Sequence, residues 1–136
     1  RARSLVLRTS LAIGPSHNGR SGHSDWLAYR HHRQLPITIV DDEFRSAVWA
    51  SDLAKRIMEF ANSDATGLCH IAATRAVSRV ELAHYIARSL SIDPVLQFAS
   101  RHQQGAPHLG SVELTTLFKG ALHQPLPSVV DGHRPD

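Results

Sequence analysis

The chain is short of the features that define several protein classes. It has a single cysteine, Cys69, so no internal disulfide can form. That excludes the disulfide-stapled secreted class and leads us to expect a reducing, cytoplasmic setting. No apolar run approaches the roughly 18 residues that a membrane-spanning helix needs, so no membrane partner is expected. Fifteen Lys+Arg against 12 Asp+Glu leave a weak net charge of +3. No block of Lys or Arg stands out, and Arg30-His31-His32-Arg33 is too short for a nucleic-acid arm. Repeats and low-complexity tracts are absent. Methionine is scarce too: Met58 is the only one, so Arg1 is not a translation start. Ser4 to Thr9 reads directly as buried strand with no leader before it, and a fragment of a longer protein is expected.

What is present suits one globular domain. The 136 residues are 42% hydrophobic, too many for intrinsic disorder. Ten histidines make the charge climb steeply below about pH 6.5. Leu5–Thr9 has the β-rich, continuously apolar pattern of a strand covered on both faces. Gly14 to Gly22 is dense in turn formers. Ser24 is then the expected cap of a helix carrying Trp26, Leu27 and Arg30. Pro36–Val40 predicts a second strand ended by Asp41, Asp42 and Glu43, and Ala47–Trp49 a short extended piece. A helix from Ser51 or Asp52 places Leu53, Ile57, Phe60 and Ala61 on one stripe, and Asn62-Ser63-Asp64 closes it. Gly67–Ala72 predicts a third strand. Ser78 and Glu81 have capping-box spacing, with Val77 and Leu82 at the staple positions. The helix they start runs through Ala83, Ile86, Ala87 and Leu90 and stops before Asp93-Pro94. Val95–Phe98 predicts a short strand, and a short helix is expected near Leu114, Leu117 and Phe118. Strands alternating with helices point to an α/β fold with at least partly parallel pairing.

The order of these segments carries a resemblance. Val6-Leu7-Arg8-Thr9-Ser10-Leu11-Ala12-Ile13-Gly14-Pro15 resembles the strand and loop "LRTSxVYGP" of extended short-chain dehydrogenases. Pro36 to Ala54, with Asp42, Arg45, Asp52 and Leu53 at the matched places, is similar to their "pitlfdDexRsPvyVeDlA" stretch. Gly67 to Ala72 followed by Val77 to Ala83 is similar to "GiyHvaGxxxlSryElA". Together these resemble the dTDP-4-dehydrorhamnose reductase-like branch, from about Leu5 to Leu126. The resemblance implies the C-terminal part of a Rossmann-type protein with its small substrate-binding lobe, spanning residues 1–136.

It further implies an oxidoreductase that uses NAD or NADP and acts on a nucleotide-linked 4-keto sugar. The family's glycine-rich cofactor turn, which places a pyrophosphate at a helix N-terminus, is not found here, nor is its Tyr-x-x-x-Lys pair. Tyr29 is followed four residues on by Arg33, and Tyr85 by Ser89. No catalytic residue is therefore assigned, and the chain alone is not expected to transfer hydride. Its partners would be a nucleotide-sugar substrate and either the missing N-terminal half or a second copy. The alternative is a non-catalytic regulatory or partner-binding relative of the same family.

Arg45 is the leading substrate residue. By the resemblance it contacts the substrate diphosphate, and a guanidinium can grip two phosphate oxygens at once. The competing role is an ion pair with Asp41, Asp42 or Glu43. Thr9 and Ser10 fall where the family's strand end faces the nicotinamide, and Leu11 where it faces the sugar. Rhamnose reductases carry an aromatic residue where this chain has Leu11. His17 and Asn18, with Arg20, lie in the loop that the resemblance sets over the substrate, though the residues themselves read first as mobile surface. Ala106-Pro107 stands where many relatives have Arg-Pro, with Arg101 as a conceivable substitute. No metal site is expected: no histidine pair has i, i+4 ligand spacing, and Cys69 and His70, as strand neighbours, face opposite ways. Cys69 reads as a small buried hydrophobe, His31 and His32 as solvated, and Trp26 and Trp49 as packing residues that could alternatively flank a ligand.

Overall fold

The apolar run at the start of the chain forms β1 (Leu5–Thr9) in a computed structural model that describes residues 4–131. After it come β2 (Leu11–Ile13), α1 (His23–His32), β3 (Ile37–Val40), β4 (Phe44–Arg45), β5 (Ala47–Trp49) and α2 (Ala50–Ala61). The second half holds β6 (Gly67–Ile71), β7 (Val77–Ser78), α3 (Arg79–Ser89), β8 (Leu96–Ala99) and β9 (Ser111–Val112). Single 3-10 turns form at Arg101–Gln103 and Ala121–His123.

Three strand pairs are parallel: β1 with β6, β2 with β5, and β3 with β8. β4 joins β7 antiparallel and β9 parallel. The fold is therefore α/β with largely parallel pairing, as the alternating elements predict. β5 divides the interior. Its residues alternate between faces, so Ala47 and Trp49 enter one apolar cluster with Leu27, Ile39, Leu82 and Ile86. Val48 enters the other, with Leu53, Phe60, Cys69 and Ile71. Burying a side chain such as Phe60 contributes about 1.5–3 kcal/mol, and both clusters are fixed through three consecutive residues.

Four local expectations are corrected. Helix α1 starts at His23, with Gly22 at the N-cap, so Ser24 lies inside the helix. The capping acid is Asp25, which accepts from the Gly22 N–H at 3.1 Å and from Ser16 Oγ at 2.5 Å. The Ser16 hydroxyl is the main cause holding Asp25 below its ordinary pKa. On α2, Leu53 and Phe60 are buried but Ile57 and Ala61 are exposed, because the helix rests on β2, β5 and the 3-10 turn at Ala121–His123.

Only half of the expected capping box on α3 forms. Ser78 Oγ accepts from the Glu81 N–H at 3.0 Å, while the Glu81 carboxylate is drawn to Arg75 at 2.7 and 3.1 Å. No helix forms near Leu114, Leu117 and Phe118. Side chains take the backbone groups a helix would use: Ser46 Oγ accepts from Leu114 N–H, Thr116 Oγ1 accepts from Phe118 N–H, and His70 Nδ1 lies 2.8 Å from Thr115 O.

Candidate functional site

Helices α1 and α3 and strand β3 enclose a cavity of about 360 Å³, within the range of small-molecule sites. Its two ends differ in chemistry. Leu27, Ile39, Leu82, Ala83 and Ile86 supply apolar wall, with Trp26 at the rim. Trp26 is 40% exposed, and the Arg30 guanidinium lies 5.7 Å from its ring centroid. The other end is lined by His23, Glu43, Arg79 and His108.

Glu43 organises the charged end. It is only 1% exposed, and a buried carboxylate must be paired. Its Oε1 accepts from Arg45 Nη2 at 3.0 Å and lies 2.8 Å from His108 Nδ1; its Oε2 accepts from Arg79 Nε at 3.2 Å. Burial pushes the Glu43 pKa up, but the His108 and Arg79 hydrogen bonds and the charges of Arg45 and Arg79 pull it below its ordinary value. The Glu43 carbonyl also accepts from the Arg79 N–H at 3.0 Å, so α3 is anchored here by backbone and side chain together. Arg79 Nη1 lies 2.8 Å from His23 Nε2. Burial, and then the Arg79 charge, lower the His23 pKa, which keeps that ring nitrogen available as an acceptor.

The residues singled out by sequence fall in three places. Arg45 stands one partner away from the cavity. Besides Glu43, its Nη1 donates to Phe44 O at 2.7 Å and Gly110 O at 3.2 Å. Contact with a phosphate would require it to exchange one of these. Thr9 is exposed and Ser10 half-buried at the C-terminal end of β1, the end where parallel sheets carry ligands. Leu11, in β2, packs against the first apolar cluster. His17 and Asn18 are exposed. Asn18 Oδ1 braces its own loop, accepting from Ser16 Oγ, Arg20 N–H and Ser21 Oγ. That loop reaches the cavity through Ser21 and Gly22.

Arg101 turns to Asp42, at 3.9 Å, and does not line the cavity. Cys69 is buried as expected, and Trp49 packs edge-on against Tyr85. Of the two roles open to Trp26, packing and flanking a ligand, its place at the cavity rim fits the second. Sequence reasoning missed Glu43, Arg79, His23 and His108 as a group because they come from four separate segments. Arg79 lies 36 residues and His108 65 residues from Glu43.

Parallel strand pairs flanked by helices define an α/β unit that contains a cavity of ligand size. The family model described as "RmlD substrate binding domain" matches residues 1–113, and the chain belongs to that family. No curated protein matches it in sequence.

Among solved structures, the fold is similar to a dTDP-4-dehydrorhamnose reductase from Bacillus anthracis in complex with NADP. The TM-score is 0.68 at 18% identity, over 91% of this chain and 43% of that one. The same enzyme from Yersinia enterocolitica gives 0.62 at 23% identity, over 79% and 38%. A UDP-glucose 4-epimerase from Thermotoga maritima, solved with UDP-glucose, gives 0.66 at 15% identity, over 85% and 38%. At these identities the likeness is one of fold. The chain spans 38–43% of the length of these three structures.

Proposed function

We propose that this chain is the substrate-binding portion of an NAD(P)-dependent oxidoreductase acting on a nucleotide-linked 4-keto sugar. The observation that supports this most is the two-ended cavity. A nucleobase needs apolar surface and a flat ring to stack on, which Leu82, Ile39 and Trp26 offer. Phosphates need cations, and the opposite end presents the Arg79 guanidinium between His23 and His108, with Arg45 behind Glu43. The sugar would then extend from the charged end toward the rest of the protein.

In the complete protein the nicotinamide cofactor supplies hydride to the sugar keto group. Thr9 and Ser10 suit the cofactor's edge: they stand at the C-terminal end of β1, and among the described residues their hydroxyls have no recorded partner. Here the chain's own residues bind and orient rather than carry out chemistry, and the proton donor and glycine-rich turn belong to the dinucleotide-binding half.

The test is affinity for UDP-glucose and dTDP-glucose. Trp26→Ala should weaken binding by roughly tenfold, the scale of one lost base stack. Arg45→Ala should weaken it as well, whether Arg45 meets phosphate itself or only holds Glu43. Unchanged affinity in both variants would remove this cavity from the binding site.

A second reading, a non-catalytic protein-binding relative, would seat its partner on the exposed apolar face of Val6 and Leu68. It predicts a stable complex with another protein and no turnover even with the dinucleotide-binding half present.

A further inference from the structure

We propose that Arg79 is the residue through which the cavity recognises the phosphates of a nucleoside diphosphate, and that His23 is its positioning residue. This rests on the reading of the cavity as a nucleotide-sugar site and says which side chain of that site discriminates.

Three arginines lie close enough to be considered, and their partners separate them. Arg45 has both terminal nitrogens occupied, Nη1 by two carbonyls and Nη2 by Glu43. Arg101 is directed at Asp42 and does not line the cavity. Arg79 does line it. Its Nε is held by Glu43 and its Nη1 by His23, while Nη2 has no recorded partner among the described residues. The guanidinium is planar and rigid, so two fixed nitrogens determine where the third points. An arginine held at Nε by a carboxylate and at Nη1 by an imidazole, with Nη2 left over, is prepared for an anion.

The charge balance leads to the same residue. Glu43 is paired with both Arg45 at 3.0 Å and Arg79 at 3.2 Å, so the two guanidinium groups leave one positive charge in excess, and of the two only Arg79 lines the cavity. The groups facing it are His23 from α1, Glu43 and Arg45 from the β3–β4 region, and His108 from the loop before β9. Asp25, the remaining acid nearby on α1, is bound to Ser16 and Gly22. His23 must present an unprotonated Nε2 to accept from Arg79, and removing that acceptor would let the guanidinium swing.

The experiment compares UDP with uridine, and dTDP with thymidine, by calorimetric titration, with melting curves to verify folding. The protein should bind the diphosphate more tightly than the nucleoside. Arg79→Gln, which keeps a donor for Glu43 but loses the charge, should reduce that preference by about 10- to 100-fold and leave nucleoside affinity unchanged. Arg79→Lys should restore part of it. His23→Phe should lower diphosphate affinity by a smaller factor, again without effect on the nucleoside; a purely structural role would move both ligands together. An unchanged diphosphate preference in Arg79→Gln, with that preference lost in Arg45→Ala, would overturn the assignment while leaving the cavity as the site. Failure of the unmodified protein to bind either ligand would overturn the cavity reading and this assignment with it.

Discussion

Three consecutive acids, Asp41, Asp42 and Glu43, meet three different fates. Asp41 is exposed. Asp42 accepts from Ser100 Oγ and the Arg101 N–H, each at 2.7 Å. Glu43 turns inward to two arginines and a histidine. Breaking a buried charge network from one side costs on the order of 3 kcal/mol, so Glu43→Gln should destabilise the fold well beyond an ordinary surface substitution.

The same groups set the response to acid. Folding depresses Glu43 and Glu81 below their ordinary 4.5 and Asp131 below 3.8. For Glu81 and Asp131 the main cause is the hydrogen bonds from Arg75. Depressed carboxylates stabilise fully above their unfolded pKa, and that contribution is lost as pH falls through the folded values. His23 is depressed below 6.5. The unfolded chain therefore takes up its proton first, and stability from this group also falls as pH drops below 6.5. Melting temperature should decline between pH 6.5 and 4.5, then more steeply. His23→Gln should flatten the upper part, and a melting temperature that rises on acidification would refute this account.

At the scale of elements, long periodic segments were legible and short or capped ones less so. β1, β3, β6 and α3 stand where apolar β-rich runs and capping place them, because the side chains of each pack on one of the two apolar clusters. The two-residue strands β4, β7 and β9 left no pattern; their hydrogen-bond partners are far away in sequence. The expected helix at Leu114–Phe118 had good spacing, but Ser46 and His70, distant in sequence, claim its backbone groups. The site was partly legible for the same reason. Arg45 stands in a recognisable local pattern, whereas Arg79, His23 and His108 become neighbours only through the packing of α1, α3 and the loop before β9.

The half-formed cap on α3 gives an element-scale prediction. Ser78→Ala should cost about 1 kcal/mol, a fall of about 4 °C in melting temperature. Glu81→Gln should act through Arg75 and Asp131 instead, and its effect should vanish when Arg75 is first replaced by methionine. Equal effects of Glu81→Gln with and without Arg75 would show that Glu81 serves the cap after all.

For the molecule as a whole, the parallel pair β1 and β6 decides the behaviour in solution. One face packs on Phe60 and Leu53. On the other, Val6 and Leu68 stand opposite each other in register, 57% and 44% exposed. Parallel sheets are normally covered on both faces, so this surface should take up a second layer, from the dinucleotide-binding half or from another copy of the chain. Sedimentation should show concentration-dependent association that Val6→Lys with Leu68→Lys abolishes; a clean monomer without the substitutions would contradict it.

If the cavity between α1, β3 and α3 holds the nucleotide part of a nucleotide sugar, ligand must perturb its walls. The most direct test is an NMR titration of the backbone amide and Trp26 indole signals with UDP-glucose and dTDP-glucose. Saturable shifts should centre on Trp26, Thr38, Glu43, Arg79 and His108. Shifts confined to Thr9–Leu11 and His17–Asn18, or none at millimolar ligand, would contradict this reading.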